Sequence, residues 1–336
     1  MQEPAQAQAP QQAAAVICEL CPHRCVLSPG QWGKCQARVN RGGRLYAAYY
    51  QKIAAIQLDP IEKKPLYHFY PGHAILSVGS IGCNLSCRFC QNWEIAHAPA
   101  PTETADTGRL LELARASGSL GLAYTYNEPL VGWEFVRDTA GAVREAGMKN
   151  VLVSNGTLNP RPWRELLPFL DAVNMDLKGF TERYYREICG GWLGVVRHNA
   201  ELARQAGVHL ELTTLLVPGL NDDPGEIEAL ARWVAQSLGR RTPLHFSRYF
   251  PAYQMNVPPT PLATLLRAWE IGRAYLDYVY VGNAQVYDAA GRPIGSDTDC
   301  PHCGEPQVVR REGYDVWSRL VAGRCPRCGE SIAISD

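Results

Sequence analysis

From residue 74 onward the chain alternates short apolar runs with longer amphipathic stretches. Apolar β-type runs occupy 74–79, 121–125, 150–154, 171–176, 208–214 and 243–247. Helical patterns lie between and after them, at about 107–117, 130–147, 161–169, 193–206, 224–238 and 261–276. Strands that alternate with helices of this length predict parallel β/α units. Six such units are countable, and YVYVG at 278–282 offers an extra strand.

A doubly wound sheet and a full or partial β/α barrel both satisfy the pattern, and both place ligands at the carboxyl ends of the strands. Polar residues gather where the apolar runs stop. The Cys83 segment follows the first run, Asn127-Glu128 the second and Ser154-Asn155 the third. Asp176 and Lys178 close the fourth, Thr213-Thr214 the fifth, and the sixth carries His245 and Arg248. Solvated strand ends and helix caps account for any one of these alone. Six converging ends, one bearing a thiol cluster, predict a single central site.

The flanks differ from this repeat. Residues 1–16 read as a disordered Ala/Gln-rich tail, with neither the basic start nor the apolar core of a secretory signal. A Cys-rich knot is expected at 17–43, the β/α body at 44–290 and a short turn-rich module at 297–336. Composition adds mainly exclusions. Hydrophobic residues make up 46%, and 33 basic residues cancel 33 acidic ones, so net charge gives no reason to expect nucleic acid or an anionic membrane as partner. No run approaches the ~20 apolar residues of a membrane span. Cytoplasmic localisation is the expectation, in a reducing compartment where clustered thiols are metal ligands rather than disulfides.

Twelve cysteines make that point decisive. GCNLSCRFCQNW spaces Cys83, Cys87 and Cys90 by four and three. Thiolates are soft donors that select iron–sulfur, zinc or copper(I), and three on one loop suit three irons of a cubane cluster. A closed zinc site wants a fourth ligand; Cys189 or a distant His is the alternative that would supply it.

This Cys-x3-Cys-x2-Cys loop after the first strand of a β/α body, with Phe89 before its last Cys, resembles the radical S-adenosylmethionine (SAM) superfamily. More narrowly, CELCPHRC, DPIEKKPLYHFYPG, GCNLSCRFCQNWEI, YTYNEP, VSNG, DLKG, VPGLND and HFSRYFP resemble the AmmeMemoRadiSam-system radical SAM enzymes, relatives of the pyruvate formate-lyase activating enzymes. The resemblance runs from about residue 18 to 283. It implies an α/β fold, a partial (β/α)6 TIM-like barrel. It also implies a [4Fe-4S] cluster that reductively cleaves SAM to methionine and a 5′-deoxyadenosyl radical, which abstracts hydrogen from an unidentified substrate. An external one-electron reductant of the flavodoxin or ferredoxin type is implied as well.

By the same resemblance, Asn127 and Glu128 line the methionine end of SAM, where activases carry Gly-Gly-Glu-Pro and this chain has Asn127 for the second Gly. Ser154 and Asn155 match the turn near the ribose, and Asp176 and Lys178 match an Asp-Leu-Lys whose Lys reaches the SAM carboxylate. Thr213, His245 and Arg248 are candidate substrate contacts. Phe250 stands where activases tend to have a His. Lys63 and Lys64, in the DPIEKKPLYHF segment with His68, form a basic pair suited to an anionic substrate group or to a solvated turn. Cys189 reads either as a radical-handling thiol or as a small buried hydrophobe.

Two cysteine quartets flank the triplet. CPHCG and CPRCG, 21 residues apart, give Cys300, Cys303, Cys325 and Cys328 a zinc-ribbon pattern, with rubredoxin-type iron as the other occupant. Such a module lacks core enough to fold without its metal. Five Arg against seven Asp or Glu over 297–336 do not make a phosphate-binding surface. Cys18, Cys21, Cys25 and Cys35 can close around zinc or an auxiliary iron–sulfur cluster, with His23 and His302 as bystanders.

Two classes of function are therefore carried forward. The first is a radical SAM enzyme, with a glycyl-radical-enzyme activase acting on a protein Gly as its variant. The second is a non-catalytic zinc-binding regulatory protein, which predicts a basic face that the neutral composition does not supply. The substrate, protein or small molecule, is not legible in the residues.

Overall fold

The computed structural model describes residues 14–311 and 314–335. Eight strands form its main sheet: β1 (Ala55–Pro60), β2 (Ala74–Gly79), β3 (Gly121–Tyr124), β4 (Lys149–Ser154), β5 (Ala172–Asp176), β6 (His209–Leu216), β7 (Leu244–Arg248) and β8 (Val279–Gly282). Their order in the sheet is their order in the chain, parallel from β2 to β8, with β1 antiparallel on β2. A doubly wound sheet reverses its order at a switch point. None occurs among the described residues, where β1 and β8 are the edge strands and do not pair with each other, so the sheet has the order of a partial barrel.

Six helices occupy the predicted stretches: α1 (Thr107–Ala116), α2 (Trp133–Glu145), α3 (Pro160–Leu166), α4 (Leu193–Gln205), α5 (Pro224–Trp233) and α6 (Leu262–Tyr275). Local chemistry sets several starts. The Asp106 side chain accepts the Arg109 N–H, and Asp223 accepts those of Gly225 and Glu226 ahead of a first-turn proline. Apolar stripes such as Val136, Ala140 and Val143 of α2 pack on the strands in one continuous core.

Strand period sorts the barrel interior from this core. In HLELTTLL of β6, Leu210 and Leu212 join the helix-facing core, while Glu211 and Thr213 point inward among polar groups. The segment after β1 then crosses the end of the barrel opposite the strand carboxyl termini. Asn174 Nδ2 donates to the Pro65 carbonyl at 2.8 Å, and Glu211 accepts the N–H groups of Tyr67 and His68 at 3.1 and 2.7 Å. His68 Nε2 meets the Tyr280 hydroxyl at 2.6 Å.

The C-terminal module docks on this floor. Its strands β9 (Thr298–Asp299), β10 (Pro306–Arg310) and β11 (Val316–Ser318) are antiparallel. Arg310 donates to the Tyr67 carbonyl at 2.6 Å and to Thr298 Oγ1 at 2.9 Å, with its guanidinium 4.2 Å from the Tyr67 ring centre. At the other end, Val16–Ile17 pairs with Val26–Leu27, so residue 16 is part of the knot; residues 1–13 of the expected tail lie outside the described residues. The expected boundary at 43/44 falls in the turn of a hairpin, Arg38–Arg41 with Arg44–Ala47. Among the described residues no helix is long and apolar enough to cross a membrane.

Candidate functional site

The triplet sits on the loop that leaves β2. Gly82 enters it at φ +102°, where a Cβ would meet the Cys35 carbonyl oxygen at 2.5 Å, so only glycine fits. The Cys83 N–H donates to that same carbonyl at 3.2 Å. Further along, Ser86 and Arg88 N–H groups donate to the carbonyls of Cys189 and Ile188, and the Arg88 carbonyl accepts the Gln254 N–H. The loop is thus pinned from three sides. Leu85 N–H lies 3.4 Å from Cys83 Sγ and donates to it.

Cys83, Cys87 and Cys90 face one cavity of about 260 Å³ at the carboxyl ends of the strands. Asn127, Glu128, Asn155, Asp176, Lys178 and Thr213 line the same space, with Tyr126, Ser247, His97 and Asn283. Burial pushes the Cys83 thiol well above its ordinary range, with Glu128 adding to it, and burial also raises Cys90. Three thiolates gathered in such a place need a positive centre to neutralise them. A cluster of ferric and ferrous iron fits that requirement, and the adjoining polar cavity has acceptors and an ammonium for a zwitterionic ligand.

Each polar lining group is oriented by the fold. Asn127 Oδ1 accepts the Ser80 N–H at 2.9 Å and its Nδ2 donates to Gly82 O at 2.9 Å, which ties the end of β3 to the thiol loop. Glu128 is buried and accepts from Leu130 N–H, Ser154 Oγ and Asn155 N–H at 3.0, 2.8 and 2.8 Å. Burial lifts its carboxyl to about 7 against the pull of those donors. Asn155 Nδ2 donates to Asn84 Oδ1 at 3.0 Å and lies 3.7 Å from Cys83 Sγ. Lys178 Nζ donates to Asp176 Oδ2 at 2.8 Å; burial opposes its charge, yet Asp176 and the Cys87 thiol hold its pKa above the ordinary value.

Other expected residues fall outside the cavity. The Ser154 hydroxyl is spent on Glu128 and on the Gly156 N–H. His245 lies one layer deeper, 2% exposed, with Nε2 2.6 Å from Glu211. Its ring stacks on Tyr280, so it belongs to the barrel floor. Arg248 Nε donates to the Thr260 carbonyl, and the guanidinium covers Phe250. Lys64 is buried and donates to Asp59 at 2.7 Å, while Lys63 reaches the other oxygen of Asp59 at 3.3 Å. Cys189 is fully buried in one cluster with Cys87, Phe89, Tyr184, Ile188 and Val217.

A family model described as the Radical SAM superfamily matches residues 78–234. An uncharacterized protein of Methanocaldococcus jannaschii, MJ0808, is 38% identical over 329 residues, 95% of each chain. The chain belongs to the radical SAM superfamily. Two solved structures share its fold at 16% identity. SuiB of Streptococcus suis, bound to S-adenosylmethionine, aligns with TM-score 0.51 over 62% of this chain and 52% of its own. A radical SAM methyltransferase from Sphaerobacter thermophilus aligns with TM-score 0.50 over 63% of this chain and 67% of its own. Membership in the superfamily implies a [4Fe-4S] cluster and SAM as the cofactor pair.

Some site residues escaped the sequence reading. Tyr126, the third residue of YTYNEP, has a positive φ of 72°, which turns it back along the barrel interior over Gly79 toward Asp59. Glu211, which gathers four donors, was visible as the polar member of an alternating strand, and that alternation is the signal that would have found it.

The C-terminal quartet is a candidate metal centre of its own. The sulfurs of Cys300, Cys303, Cys325 and Cys328 all lie within 4.8 Å of one another. That matches a single tetrahedral ion with ~2.3 Å metal–sulfur bonds.

Proposed function

We propose that this chain is a SAM-dependent radical enzyme in which Cys83, Cys87 and Cys90 hold a [4Fe-4S] cluster whose remaining iron is chelated by SAM. Bound there, the pair supplies reductive cleavage of SAM to methionine and a 5′-deoxyadenosyl radical, which abstracts hydrogen from the substrate. A flavodoxin- or ferredoxin-type donor is the reductant in this reading.

The observation that carries the reading is the convergence of three thiols with Asn127, Glu128, Asn155, Asp176 and Lys178 on one cavity. Lys178 offers its ammonium to the SAM carboxylate, with Asp176 fixing its direction. Asn155 presents an amide beside Cys83 to the ribose end. Glu128 acts by bracing: it fastens Ser154 and Asn155 to the Asn127 turn, so the two sides of the cavity keep their spacing. Thr213 and Ser247 remain as polar lining for the substrate. At the C-terminus, the ribbon quartet holds one zinc ion that fastens the floor.

The test is ⁵⁷Fe Mössbauer spectroscopy on anaerobically reconstituted protein. This reading expects one iron of the triplet cluster to change its isomer shift when SAM is added. Four equivalent, SAM-indifferent irons, or zinc in the triplet, would overturn it.

A further inference from the structure

The N-terminal quartet departs from the ribbon in one measurable way. The ribbon brings Cys300 to 3.5 Å from Cys328 and Cys303 to 3.7 Å from Cys325, sulfur to sulfur. A tetrahedral ion with ~2.3 Å bonds requires sulfurs about 3.8 Å apart. Among the described residues the ribbon is the group of three or more ligand atoms gathered within 4.8 Å, and the N-terminal quartet is not. Yet all four of its cysteines line one small hole of about 10 Å³. A zinc ion gripped by all four would close that hole; a cluster keeps its thiolates further apart, since each binds a different iron.

The surroundings are built for an anionic thiolate centre. Cys18, Cys21 and Cys35 are buried and unpaired by disulfide. Left-handed residues Arg24 and Gln36, at φ 43° and 55°, make the turns. Arg38 lines the hole at 5% exposure. Its Nη groups are engaged by Glu134, but among the described residues its buried Nε–H has no partner. An unsatisfied buried donor next to four thiols is costly unless an acceptor occupies the site.

We infer that Cys18, Cys21, Cys25 and Cys35 hold a second iron–sulfur cluster, with Arg38 Nε–H directed at its sulfur. It adjoins the catalytic loop: the Cys35 carbonyl accepts the Cys83 N–H, and His23 Nε2 lies 2.7 Å from the Asn84 carbonyl oxygen. The inference concerns these four thiols and does not depend on SAM chemistry at the triplet.

Iron, sulfide and zinc are counted in the full chain after anaerobic reconstitution, for wild type, Cys83→Ala/Cys87→Ala/Cys90→Ala and Cys21→Ala/Cys35→Ala. The triplet variant should keep roughly half of the iron and sulfide, with a paramagnetic signal on reduction. The quartet variant should keep the other half. Complete loss of iron from the triplet variant, with two zinc ions per chain, overturns this inference and leaves the catalytic reading standing. Complete loss of iron from a folded quartet variant does the reverse. An Arg38→Met protein keeps the charge-independent packing and should shift the reduction potential of the triplet variant's remaining cluster; an unchanged potential removes Arg38 from the site.

Discussion

The Tyr126 hydroxyl donates to Asp59 Oδ2 across 2.6 Å, and Lys64 Nζ reaches the same oxygen at 2.7 Å. This relation links the cofactor cavity, which Tyr126 lines, to a buried ion pair on the antiparallel edge strand. Burial works against the Asp59 carboxylate, but Lys64 and Tyr126 draw its pKa down to about 2. Removing the acid strands a buried ammonium. Asp59→Asn should therefore lower unfolding free energy by about 3–5 kcal/mol in chemical denaturation. Tyr126→Phe removes only one charge-assisted hydrogen bond and should cost about 1.5–3 kcal/mol. Equal losses in the two variants would contradict the linkage.

Lys178 is the cavity's cation, and its loss should be felt by the carboxylate end of SAM. Lys178→Met is expected to weaken SAM binding about 10- to 100-fold, equivalent to about 1.4–2.8 kcal/mol, with the iron content unchanged. Isothermal titration on reconstituted protein checks this. Undiminished affinity would assign Lys178 to bracing Asp176 alone.

Buried His68 supplies a pH signature. Desolvation takes its pKa from 6.5 to about 3, and Ala333 O and Tyr280 hold the neutral ring. Between those values the unfolded chain binds a proton that the folded one refuses. Stability is thus full above pH 6.5 and falls on acidification toward pH 3, by up to about 1.4 kcal/mol per pH unit. His68→Gln should flatten that limb of the stability profile. An unchanged slope would mean the acid sensitivity resides elsewhere.

Much of the barrel was legible because parallel strands and their covering helices carry distinct periods, and all six predicted runs and the extra strand occur. That the triplet would share one space with Asn127, Glu128, Asn155, Asp176 and Lys178 was legible from their place at strand ends. His245 was misplaced by one layer: it starts its strand rather than ending it, so the inward face carries it to Glu211 instead of the cavity. Lys64 was expected to meet a substrate anion or solvent rather than a buried carboxylate, because its partner Asp59 sits in an edge strand that the alternation did not reveal. Tyr126 required a backbone turn that no local pattern announces.

The ribbon metal should matter beyond its own module, because Arg310 and the Ala333 carbonyl hold Tyr67 and His68. Stripping the ion with a thiol-directed mercurial and a chelator should raise amide exchange over residues 61–70 as well as 297–335. Exchange confined to the module would show that the floor stands without it.

What the triplet does with SAM separates a radical enzyme from a metal-binding scaffold most directly. Reconstituted protein, reduced with dithionite and given SAM, should release 5′-deoxyadenosine and methionine in equal amounts, and Cys87→Ala should reduce both to background. Intact SAM in the presence of a fully reduced wild-type cluster, or equal cleavage by Cys87→Ala, would contradict it.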